Sequence, residues 1–100
     1  MLMVRVTYFC KPDCRDAFVK ALQEEEIPAR TRREEGNLEY TFSLPLGQEN
    51  AVALLERWES GDCLKSHRTQ PHLLRLRELK AQYVEHSEIR FYDVQPRELS

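Results

Sequence analysis

Residues 38–58 limit the possible folds more than any other stretch. Leu38, Tyr40, Phe42 and Leu44 alternate with Glu39, Thr41 and Ser43, the period of a strand with one face on a core. Pro45-Leu-Gly-Gln-Glu-Asn50 interrupts that period with turn residues, and Val52 to Trp58 resumes it as a second strand. A hairpin in the middle of the chain leaves two flanks of similar length, and each must help to cover it.

Both flanks carry one strand and one helical pattern. Before the hairpin, Val4 to Phe9 is β-branched and aromatic, with Val4, Val6 and Tyr8 on one face. Lys11-Pro12-Asp13 ends that strand, and Asp13 stands where it could cap a helix, with Asp16 near the helix dipole. Ala17, Phe18, Ala21 and Leu22 recur at helical spacing, predicting a helix to about Arg33 that Pro28 kinks or splits near Glu24–Ile27. Gly36 supplies its stop. After the hairpin, Ser60 caps a short helix through Thr69, and Pro71 opens another along which His72, Leu76, Leu79 and Tyr83 share a face. Glu88 to Val94 forms the last strand, with Ile89 and Phe91 expected beside Leu38 on the inner face.

The resulting order, β-α-β-β-α-β, predicts an α+β fold of the ferredoxin-like kind, an antiparallel sheet with both helical segments on one face. One domain should span residues 1–94, with a loose tail at Gln95–Ser100. The other face of the sheet mixes Met3, Phe9, Leu55 and Tyr92 with Arg5 and Arg90. That is more apolar than a solvated face requires, and it suits a homodimer joined through the outer sheet face.

Composition excludes several classes. A net charge of −2 lacks the basic footprint expected of a nucleic-acid-binding surface. Three glycines, none in a Gly-rich turn between strand and helix, leave no dinucleotide or phosphate-loop fingerprint. No apolar run approaches the roughly 18 residues of a membrane span, and Met1 to Phe9 does not resemble a signal peptide. No membrane contact and a cytoplasmic location are therefore expected. Cys10, Cys14 and Cys63 are odd in number and suit reduced thiols.

The chemistry gathers between positions 56 and 72. Strand alternation puts Glu56 and Trp58 on the side of Val52 and Leu54, beneath the helices. A buried carboxylate is costly unless paired or protonated, so Glu56 is either an ion-pair partner of an arginine or a general base or acid in a pocket. Trp58 is either core or the wall of a site for a flat ligand. His67 should lie on the inner face of the short helix, as a satisfied structural residue or a proton carrier, and His72 is expected to point inward too. Tyr8 and Tyr40 could add hydroxyls. No metal is expected, because CxxC, HxxxH and HExxH are all missing.

Four segments together carry a family resemblance: Arg5-Val-Thr-Tyr-Phe-Cys-Lys-Pro12, Glu35-Gly-Asn-Leu-Glu-Tyr40, Leu55-Glu-Arg-Trp-Glu59 and Ser66-His-Arg-Thr-Gln-Pro-His72. In order and spacing the chain resembles the antibiotic biosynthesis monooxygenase domain, and most of all its small quinol-monooxygenase-like members. The resemblance implies a dimeric α+β barrel with a pocket between each sheet and its own helices. It implies oxygenation of quinols or anthrones with O2 and no cofactor, with Glu56, His67 and His72 as proton acceptors and Trp58, Tyr40 and Tyr8 against the substrate. Leu54 replaces an asparagine of some family oxygenases. Arg77 and Thr7 stand where haem-degrading relatives place a histidine and an asparagine, which argues against haem degradation. Another type of relative isomerises a small phosphorylated dicarbonyl, for which the inner face shows few cations, Arg32 or Arg33 being the candidates. A non-catalytic ligand-binding dimer is the third possibility.

Overall fold

The computed structural model describes residues 1–99 and has the expected order of elements, with the helical part of each half divided in two. Strand β1 (Leu2–Cys10) leads through α1 (Arg15–Glu24) and α2 (Ile27–Arg32) to the hairpin of β2 (Asn37–Ser43) and β3 (Ala51–Trp58). Then α3 (Gly61–His67) and α4 (Pro71–Tyr83) return the chain to β4 (Val84–Asp93). The strands lie in the order β2-β3-β1-β4, and every neighbouring pair is antiparallel. The sequence-predicted ferredoxin-like α+β architecture is therefore the observed one.

Register decides which side chains meet. Tyr40 lies opposite Glu56, Glu56 opposite Val4, and Val4 opposite Phe91, so these four form one row across the helix-covered face. The next row is Phe42, Leu54, Val6 and Ile89. Phe18, Leu22 and Ile27 from the first helical pair and Leu76 and Leu79 from α4 close over the sheet, all buried. Burying such a side chain contributes about 1.5–3 kcal/mol, so these rows hold the hairpin firmly under the helices.

Four details differ from the sequence expectation. Asp13 does not cap α1; it takes a left-handed φ of 62° in the turn, and Cys14 holds the cap position without a side-chain bond. Leu38 is 41% exposed, because a register shift between Asn37 and Glu39 takes it out of the strand alternation. Ile89 and Phe91 are 44% and 52% exposed: β4 is an edge strand, and the helices do not cover its end. β4 also begins at Val84, directly after α4, where polar Glu85, His86 and Ser87 hide its period; ladder pairing to Tyr8 and Phe9 defines it instead.

The break in the first helical segment is where Pro28 demands it. α1 ends at Glu24, Glu26 turns with φ 55°, and Pro28 sits in the first turn of α2, where a missing N–H costs nothing. The three cysteines are free thiols. Among the described residues no helix is long and apolar enough to cross a membrane. The proposed tail is described only as far as Leu99, without secondary structure; Ser100 lies outside the described residues.

Candidate active site

Glu56 is 6% exposed on β3, a strand with neighbours on both sides, beneath the helix layer. Among the described residues no lysine or arginine pairs with it. Its one hydrogen bond is local: the Trp58 Nε1–H, on the same strand face, donates to Glu56 Oε1 at 3.1 Å. Burial raises the Glu56 pKa to about 7, against the downward pull of that bond and of the Arg68 charge. The carboxyl group therefore exchanges its proton near neutral pH, and the ion-pair alternative is not what the chain builds.

His67 comes from α3, whose start is set by Ser60: its Oγ accepts from the Cys63 N–H at 3.4 Å. Leu64 and His67 then face inward. The His67 ring lies 4.9 Å from the Trp58 ring and 5.6 Å from that of Tyr40, centroid to centroid. Its Nδ1 is 2.6 Å from Glu34 Oε2, and His72 Nε2 is 2.7 Å from the same oxygen. An ionised carboxylate only accepts, so each ring donates an N–H there and His67 keeps Nε2 as its acceptor. Burial lowers the His67 pKa, with the Glu34 hydrogen bond acting in the opposite direction. A neutral imidazole with one free acceptor is a proton acceptor.

Glu34 is the residue that sequence reasoning missed. It sits in the polar run after α2, where no periodicity singles it out. The available signal was Gly36, which has φ +81° and lies so close to α3 that a Cβ would stand 2.3 Å from Cys63 Sγ. The Glu59 N–H also donates to the Gly36 carbonyl at 2.9 Å. Only glycine permits this approach, and it seats the 34–36 segment against the helix that carries His67.

A cavity of about 170 Å³ lies between the sheet and the last two helices. Tyr8, Tyr40, Glu56 and His67 line it; Trp58 and His72 do not. Trp58 is fully buried behind Glu56 and His67. His72 is buried as well, but its ring bonds Glu34 and borders a separate cleft beside Arg30 and Arg33. Burial raises the pKa of Tyr8 and of Tyr40, so both phenols stay protonated. The Tyr40 hydroxyl is fully buried, with Thr31 of α2 as its polar neighbour and no hydrogen bond of good geometry among the described residues. Arg68, Arg77 and Lys80 stand around the opening, with Ile89 and Phe91 as the facing lip. Neither Arg32 nor Arg33 reaches this cavity: the Arg32 Nε–H donates to the Tyr40 carbonyl, and Arg33 borders the His72 cleft. A larger cavity, about 540 Å³ between the first helices and β2, holds none of these acid–base groups.

Glu34, His67 and His72 bring three ligand-type atoms within 4.8 Å of one another. The two short contacts are hydrogen-bond distances to one shared oxygen. Ligands around an ion at about 2.0–2.2 Å stand farther from each other than that. The trio therefore reads as two imidazoles locked by a carboxylate, and it would have to open to admit a metal.

Comparison with known proteins identifies the family and the fold. The family described as "Antibiotic biosynthesis monooxygenase" matches residues 1–79. A Bacillus subtilis (strain 168) protein named "Putative monooxygenase YcnE" is 29% identical over 72 residues, spanning 72% of this chain and 74% of that protein. The crystal structure of PA3566 from Pseudomonas aeruginosa superposes with a TM-score of 0.86 at 20% identity, covering 95% of this chain and 94% of that one. Rv0793 from Mycobacterium tuberculosis gives 0.83 at 24% identity, covering 96% of each chain. At such identities the two structures speak for the fold alone.

Proposed function

The chain belongs to the antibiotic biosynthesis monooxygenase family, and from that premise we propose that it is a cofactor-independent monooxygenase of a small, electron-rich aromatic compound. The observation that carries this reading is Glu56: a buried carboxyl group with no cationic partner among the described residues, its pKa raised to about 7, on the wall of a cavity between sheet and helices. Glu56 is the base that takes a phenolic proton, and His67 Nε2 is a second acceptor beside it. Tyr40 and Tyr8 form the aromatic wall against which the ring lies.

Deprotonation makes the ring a donor to O2. The substrate supplies all the electrons: hydroquinone plus O2 gives hydroxyquinone plus water, with one oxygen atom entering the ring. The protein's part is to remove protons, hold the ring and exclude water. An engineered cavity of about 150 Å³ accommodates benzene, so a cavity of about 170 Å³ favours a single ring over a three-ring anthrone. His72 acts through Glu34 rather than on the substrate. The outer sheet face, with Met3, Phe9 and Leu55 half-buried and Tyr92 exposed, supports a homodimer joined through it.

The basic side chains at the opening favour a second reading, proton-shuttling isomerisation of a small phosphorylated dicarbonyl by the same Glu56 and His67. Incubation with 18O2 separates the two. The oxygenase reading expects one labelled atom in the product and one in water. A product of unchanged mass formed without oxygen consumption supports the isomerase instead.

A further inference from the structure

We propose that the ligand of this cavity carries an anionic group, a carboxylate or a phosphate monoester, held at the opening by Arg68, Arg77 and Lys80. The inference rests on the reading of this cavity as the reaction site.

These three cations come from two elements and converge on one opening. Arg68 is the C-cap of α3, while Arg77 and Lys80 continue the α4 stripe that begins with Leu73 and Leu76, at helical spacing toward the sheet. Arg75, on the same helix, is taken up by Glu25 and Glu78 and stays outside the cavity. Among the described residues, Arg68, Arg77 and Lys80 have no acidic partner. Aromatic faces hold two of them in place instead. The Arg68 guanidinium lies 5.9 Å from the centre of the Phe91 ring, and Lys80 Nζ 5.5 Å from that of Tyr8.

Three like charges around one small opening repel one another, and a bound anion relieves the repulsion. Lys80 registers it: burial lowers its pKa, and the Arg77 charge lowers it further. The one acidic group on the cavity wall is Glu56, whose carboxyl is largely neutral below pH 7 and then does not repel an anion. The ligand thus enters ring first, toward Tyr40 and Glu56, and leaves its charge at the rim. Arginine suits a carboxylate or phosphate bidentately, and desolvated lysine adds a point charge.

Calorimetric titration of the full chain with 2,5-dihydroxybenzoate, its methyl ester and phenyl phosphate tests this. The acid should bind at least tenfold more tightly than the ester, and the preference should shrink as salt rises. Arg77→Gln and Lys80→Gln, with folding checked by circular dichroism, should each remove most of that preference and leave ester binding unchanged. The stronger of the carboxylate and the phosphate identifies the anion. Equal binding of acid and ester, an acid preference that survives the Arg77→Gln/Lys80→Gln double variant, or no saturable binding of either anion would overturn the inference. Anion-selective binding without oxygen uptake would sustain it while removing the oxygenase reading.

Discussion

Glu34 Oε2 lies 2.6 Å from His67 Nδ1, although the two residues are far apart in the sequence. That contact fixes which nitrogen of His67 remains an acceptor beside the cavity. The same oxygen holds His72, so one carboxylate ties the end of the first helical segment to both α3 and α4.

Replacing Glu34 should therefore act on structure and on turnover. Glu34→Ala leaves two buried imidazole N–H groups without an acceptor, a loss of about 1–3 kcal/mol each in stability at most. Glu34→Gln keeps one acceptor oxygen and should stay folded. Its kcat should fall at least tenfold with little change in KM, because the ring's free nitrogen is no longer specified. Urea unfolding and steady-state kinetics on the two variants check this.

Stability should fall with rising pH because of Glu56. Its pKa rises from 4.5 to about 7 on folding, so the native state binds the proton more tightly than the unfolded chain. The contribution is fully present below pH 4.5 and is lost as pH rises through 7, a difference of about 3 kcal/mol. Glu56→Gln should abolish that slope and gain stability at pH 8. His67 acts with the opposite sign: its lowered pKa costs stability as pH falls below 6.5. Thermal melts of both forms from pH 4 to 8 separate the two groups.

Trp58→Phe removes the donor that helps to hold Glu56 ionised. The Glu56 pKa should climb further, and the ascending limb of the pH–rate profile should move to higher pH. A rate lowered equally at all pH values would instead place Trp58 in packing alone.

Gly36→Ala should be among the most damaging small substitutions. The left-handed φ costs about 1–2 kcal/mol for an L-residue, and the added methyl meets Cys63 Sγ at 2.3 Å. Adding Cys63→Ala removes the sulfur contact but keeps the Cβ contact at 3.0 Å, so it should recover only part of the loss, as chemical denaturation of the single and double variants will show.

The sheet was legible from Tyr40, Leu54 and Val6 because strand alternation survives wherever one face is covered. It failed at Leu38, where a bulge shifts the register, and at Glu85–Ser87, where an edge strand needs no apolar period. The placements of Glu56 and His67 followed from the same periodicities. Glu34 did not, because its role arises from a close approach of two segments that no local pattern encodes. Arg68 and Lys80 have no sequence signal for a related reason, and Arg77 is read only against haem ligation: a helical stripe that turns from leucine to cation reads as a solvated edge until it is found lining a cavity with Ile89 and Phe91.

The most direct measurement is oxygen consumption by chelator-treated protein with hydroquinone and 2,5-dihydroxybenzoate, set against Glu56→Gln and a protein-free blank. Uptake above the blank that rises with pH through about 7 and disappears in Glu56→Gln is the predicted result. Uptake equal to the blank, or uptake that survives in a folded Glu56→Gln protein, would contradict the assignment of Glu56 as the base of a cofactor-free oxygenation.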